Sequence, residues 1–128
     1  MTPTRLLIVH PDPAARAMLG SMLRPLTSEI LEASDGGTAV RMLEQRPGLV
    51  LIGIHPEYPK ALGLFSHIRR KFPRLPTILL SSTDHPGLSR RALRLGATAV
   101  LKYPLPTTQL LASMGQVLGL RETPRRTG

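Results

Sequence analysis

The chain has 128 residues, 41% of them hydrophobic, which is enough for one domain with a buried core and too few for two of ordinary size. It carries no cysteine, which excludes a disulfide scaffold and thiolate metal or redox chemistry, and no apolar run approaches the roughly 20 residues that span a bilayer. Seventeen Lys and Arg against eight Asp and Glu give a formal net charge of +9, a field that attracts nucleic acid, anionic lipid or an acidic protein without choosing among them. With two Phe, two Tyr and no Trp, the stacking platforms of single-strand binders are nearly missing, so the charge is read first as arginine-rich composition and solubility. The N-terminus has neither the charged start nor the apolar centre of a signal peptide, and a cytoplasmic location is the expectation.

Short apolar runs with β-branched residues alternate with stretches of helical periodicity, the pattern of a parallel sheet with helices on both faces. The first run, Leu6-Leu7-Ile8-Val9, is followed by His10, Pro11 and Asp12. Asp12 before Pro13 marks a helix start, because the carboxylate caps free N–H groups and proline fills the first turn at no hydrogen-bond cost. Ala15, Met18, Leu19, Met22, Leu23 and Leu26 then recur at three- and four-residue intervals and predict a sheet-facing stripe. The second strand runs into Glu32-Ala33, and a helix over 37–45 is expected to bury Val40 and Leu43 before Pro47-Gly48 turns into Leu49-Val50-Leu51-Ile52-Gly53-Ile54. The third helix, over 62–72, should bury Leu64, Phe65, Ile68 and Phe72. Its last turn holds Arg69, Arg70 and Lys71, where cations complement the negative end of the helix dipole. After the strand Leu75–Ser81 and the segment Asp84-His85-Pro86, a fourth helix should turn Leu88, Ala92 and Leu95 inward and Arg90, Arg91 and Arg94 outward, stopping at Gly96. A fifth strand reaches Lys102 ahead of Tyr103-Pro104, and a last helix over 106–118 places Leu110, Leu111, Met114 and Val117 on one side. Residues 1–120 are read as the domain and 121–128 as a basic tail or linker.

This succession resembles the response-regulator receiver domain, through Leu6 to Pro13, Glu32 to Ala39, Leu49 to Ile54, Leu75 to Ser81 and Gly96 to Pro104. The resemblance implies an α/β fold: a doubly wound five-stranded parallel sheet of order 2-1-3-4-5, flanked by five helices, with ligands gathering at the carboxyl ends of the strands. It also implies where phosphotransfer chemistry sits, and there the chain departs from the family pattern. The phosphoryl-accepting aspartate at the end of the central strand is replaced by Gly53, which has no oxygen to phosphorylate. The paired acidic residues that hold the metal fall on His10 and Pro11, leaving Asp12 as the helix cap. The lysine of the fifth strand falls on Tyr103, and Lys102, one place earlier, starts from the opposite face of the strand. Ser81 matches the switch hydroxyl, while the aromatic position coupled to it is Val100. Ala61 stands where the glycine of the third helix is expected, and Pro56, Glu57 and Pro59 make the preceding loop unlike the usual one.

Aspartyl phosphorylation needs a carboxylate nucleophile, Mg²⁺ held by oxygens and a cation for the transferred group. A pocket without them is expected to take no cofactor and no metal, so the chain is read as non-enzymatic. The expectation is a degenerate or pseudo-receiver that acts in two-component (phosphorelay) signalling through protein contact. Its candidate partner face carries Arg90, Arg91, Arg94 and Lys102, which favours an acidic protein surface and opposes like-charged pairing; a homodimer through apolar parts of the helices stays open. Two other functions stand beside this one: a switch phosphorylated at a non-standard acceptor such as Asp12, and a basic nucleic-acid-binding accessory protein whose affinity would fall steeply with salt. His10, His55 and Asp12 form a conceivable set for Zn²⁺ or Ni²⁺, yet no short ligand spacing supports it, and loop histidines facing solvent or bonded locally are the plainer reading.

Overall fold

The central strands are runs of apolar residues covered on both faces, and each segment between strands forms a helix. A computed structural model describes residues 5–27, 29–54, 60–81, 86–102 and 106–122. The elements alternate strictly: β1 (Leu6–Val9), α1 (Pro13–Leu23), β2 (Ile30–Ala33), α2 (Gly36–Met42) with a 3₁₀ turn at Leu43–Gln45, β3 (Leu49–Ile54), α3 (Lys60–Lys71), β4 (Thr77–Ser81), α4 (Pro86–Arg94), β5 (Ala99–Lys102) and α5 (Thr107–Glu122). The five strands form one parallel sheet in the expected order 2-1-3-4-5. Helix α5 continues to Glu122, past the boundary at residue 120 drawn from the sequence.

Period-two alternation divides the strands between two cores. Leu6, Ile8, Leu49, Leu51, Ile78 and Leu80 pack against Leu19 and Leu23 of α1 and Leu110, Met114 and Val117 of α5. Leu7, Val9, Val50, Ile52, Ile54 and Leu79 pack on the other face with Ala39, Leu43, Leu64, Phe65, Ile68 and Ala92. The central strands β1 and β3 therefore read as continuous hydrophobic runs, and all six positions of β3 are buried.

The helix ends follow from their capping residues. Asp12 accepts the Ala14 N–H at 3.1 Å, and Asp35 accepts the Thr38 N–H at 2.8 Å, satisfying donors that the first turn leaves free. At the end of α4, Gly96 N–H bonds Leu93 O at 3.1 Å and Ala97 N–H bonds Ala92 O at 3.0 Å, the paired bonds of a Schellman stop, with Gly96 at φ +108°. Arg69 closes the α3–β4 connection by donating to Leu75 O at 3.0 Å and Pro73 O at 2.6 Å.

Four residues expected inside are exposed: Met18, Val40, Phe72 and Leu95. Of the adjacent pair Met18 and Leu19, both expected inward, only Leu19 is buried, and in α2 Ala39 is buried in place of Val40, because one residue turns the helix by about 100°. Phe72 and Leu95 each lie just past the last residue of their helix, where the inward face no longer continues. Among the described residues, no helix is long and apolar enough to cross a membrane.

Candidate functional site

The carboxyl ends of β1 and β3 lie side by side, with Val9 opposite Ile52, so the next residues along, His10 and Gly53, face each other. Counting alternately from Leu49 and Leu51 puts Gly53 on the α1/α5 side of the sheet. A Cβ on Gly53 would lie 2.2 Å from His10 Cδ2, 3.0 Å from Nε2 and 3.1 Å from Cγ. The imidazole of His10 thus stands where any side chain at position 53 would begin. His10 is 9% exposed, and its ring is fixed rather than loosely placed: the Asp12 N–H donates to its Nδ1 at 3.0 Å. The His10 N–H bonds Ala33 O at 3.0 Å, which holds the backbone against β2.

Arg16 secures the same corner from α1. It donates to His10 O at 2.7 Å and to Pro11 O at 3.4 Å, and its Nε lies 3.2 Å from Glu32 Oε1 on β2. The ion pair is half exposed on the glutamate side and contributes little by itself; the carbonyl bonds place the guanidinium over the β1–α1 turn. Asp12, at this corner, is exposed and caps α1 with its carboxylate.

The remaining candidate residues fall elsewhere. Ser81 is buried at the end of β4, opposite Ile54 and Lys102 in the two flanking strands. By alternation from Leu79, it belongs to the α2/α3/α4 face and not to the face of Gly53. Val100 is half-buried and packs against that second core, and Lys102 shares its side of β5 with an exposed side chain. Arg90, Arg91 and Arg94 are all exposed on α4. Tyr103, His55 and His85 lie outside the described residues, as does the loop of Pro56, Glu57 and Pro59.

A hard divalent cation asks for several oxygens around one point. The corner offers an imidazole packed over a glycine and a carboxylate already bonded to a helix N-terminus, and among the described residues no three His, Cys, Asp or Glu side chains come together. The described residues of this corner do not make the oxygen set that Mg²⁺ requires. The partnership of His10 with Gly53 was missed in the sequence, although its signal was there: the register of β1 against β3, extended by one residue, sets a bulky ring opposite the one glycine of the central strand.

Comparison with known proteins follows the same lines. The family model described as response regulator receiver domain matches residues 6–114. The chain is 30% identical over 111 residues to the Regulator of RpoS of Escherichia coli strain K12, covering 86% of this chain and 33% of that protein. It is 37% identical over 103 residues to the gliding motility regulatory protein of Myxococcus xanthus, covering 76% and 13% respectively. The chain therefore spans a third or less of these two relatives. The crystal structure of the signal receiver domain of an HD domain-containing protein from Pseudomonas fluorescens Pf-5 superposes with a TM-score of 0.82 at 24% identity, over 94% of this chain and 98% of that one, a likeness of fold.

Proposed function

The chain belongs to the response regulator receiver family, and from that premise we propose that it is a protein-interaction module of two-component signalling that works by docking, without phosphoryl transfer. The observation that carries this reading is the His10 ring in the space above Gly53. A glycine at the acceptor position would by itself leave an open pocket within reach of a neighbouring carboxylate. Here the volume is filled, the filling ring is tied to the Asp12 N–H, and the Asp12 carboxylate bonds the helix that it begins. A phosphoryl donor would have neither an oxygen nucleophile at the strand end nor the electrostatic help of a bound cation, and that help is usually the largest part of such catalysis. The chain is accordingly non-enzymatic, and a pseudo-receiver in the chemical sense.

Signal then passes through shape and charge at the surface. The basic α4–β5 side, with Arg90, Arg91, Arg94 and Lys102 exposed, suits an acidic protein partner. The cytoplasmic setting follows from the two-component context alone.

Incubation of the full chain with acetyl phosphate and Mg²⁺, followed by intact mass, tests the absence of phosphoryl transfer. No adduct is expected, and Mg²⁺ should leave the melting temperature unchanged. A stoichiometric gain of roughly 80 Da, one phosphoryl group, mapped to Asp12 or any other side chain, overturns the reading.

A further inference from the structure

The two ends of the sheet carry different charge. Toward the carboxyl ends of the strands the described charged residues nearly balance, Asp12, Glu32 and Asp35 standing with Arg16 and Lys102. At the amino ends, Arg24 follows α1, Arg46 follows the 3₁₀ turn, Arg70 and Lys71 end α3, and Arg74 leads into β4; all five are exposed. The acidic residues described at that end are Glu29, bonded to Arg5 at 2.9 Å, Glu44, and Glu122, the last residue of α5. Complementing a helix dipole accounts for Arg70 and Lys71. It does not account for Arg74, which lies beyond the helix, or for the apolar residues set among these cations.

Those residues are Phe72 and Leu95. Each continues the sheet-facing line of its helix, Phe72 after Phe65 and Ile68 of α3 and Leu95 after Ala92 of α4, past the point where the sheet gives cover. They are left 39% and 45% exposed. The two turns adjoin: Arg69 donates to Pro73 O at 2.6 Å and to Leu75 O at 3.0 Å, and its Nε lies 3.0 Å from where a Cβ on Gly96 would stand. We infer that this amino-end surface rests against an anionic lipid membrane, the cations meeting lipid phosphates while Phe72 and Leu95 enter the interface. A nucleic-acid backbone would meet the cations and leave both apolar side chains in water. An acidic protein would have to match carboxylates to cations drawn from three separate connections, whereas a fluid anionic surface takes charge and apolar contact without a fixed register. The nearly neutral opposite end gives such a surface no comparable hold, so the strands point away from it.

Co-sedimentation of the full chain with phosphatidylcholine vesicles, alone or mixed equally with phosphatidylglycerol, tests the contact. Only the mixed vesicles should bring the chain down, and less of it as salt rises. Arg70→Gln with Lys71→Gln should weaken partitioning about 25-fold, at about fivefold for each cation near an anionic surface. Arg24→Gln with Arg46→Gln should do the same, and circular dichroism checks that both pairs fold. The sequence holds no Trp, so Phe72→Trp sets a single reporter at the seam, and Ala14→Trp, exposed in the first turn of α1, sets one at the far end. Brominated lipid should quench the first and not the second. Equal binding to both kinds of vesicle, full affinity in both charge variants, quenching at both reporters or at neither, or release of the chain by a DNA duplex at equal phosphate concentration would each overturn the inference. None of these results bears on whether the chain accepts a phosphoryl group, so the two proposals fail separately.

Discussion

Replacing Gly53 by alanine adds one methyl group and asks how firmly His10 holds its place. Carbon atoms in contact sit about 3.5–4.0 Å apart, so a Cβ at 2.2 Å from His10 Cδ2 forces the ring to retreat by more than about 1 Å. The ring is buried and bonded through Nδ1 to the Asp12 N–H, so retreat costs packing and that bond together. Overpacking of this kind costs about 1–3 kcal/mol and the hydrogen bond about 1 kcal/mol, against which the stiffer unfolded chain of alanine returns about 0.4–1 kcal/mol. A net loss of about 2 kcal/mol lowers the melting temperature by roughly 8 °C in a domain of this size. Thermal unfolding of Gly53→Ala, His10→Ala and the double variant, followed by circular dichroism, completes a double-mutant cycle. In the His10→Ala background the added methyl should become neutral or stabilising, by up to about 1 kcal/mol. Wild-type stability in Gly53→Ala, or strictly additive losses in the double variant, would refute the interlock and with it the physical basis of a filled acceptor site.

Two further outcomes test how the fold is held. The Thr38 N–H bond to the Asp35 carboxylate, helped by the Thr38 hydroxyl, holds that group below the ordinary value of 3.8, so its contribution is present above that pH and fades as pH falls through the lowered value. Urea denaturation from pH 6 to pH 2.5 should show the loss beginning near pH 4, and Asp35→Asn should flatten that part of the profile; an unchanged acid limb would contradict the assignment. Gly96→Ala forces a Cβ into a left-handed turn and to 3.0 Å from Arg69 Nε, and a loss of about 1–2 kcal/mol is expected by chemical denaturation. Stability equal to wild type would mean that α4 stops by other means.

Much of this architecture was legible because parallel sheets buried on both sides announce themselves as apolar runs. Leu49 to Ile54 could hardly have been anything else, and Asp12 and Gly96 marked their helix ends, whereas the Asp35 cap that starts α2 at Gly36 went unread. Helix faces were read less sharply: Val40 and Ala39 fit one periodicity equally well, and only packing on the sheet selects the smaller. The lack of a side-chain oxygen at Gly53 was plain from the residue itself. What replaced it was not, because the contact joins residues from two different strands and depends on a side-chain direction that periodicity does not encode. His10, read as a loop histidine facing solvent or bonded locally, is the locally bonded kind, held by the Asp12 N–H, and it is buried.

The meeting of His10 with Gly53 also bears on how such a protein can change over generations. Any larger residue at position 53 sets a side-chain carbon against an imidazole that is bonded to the Asp12 N–H, so room for it depends on what stands at position 10. Substitutions at the two positions are therefore coupled, and the effect of either depends on the occupant of the other.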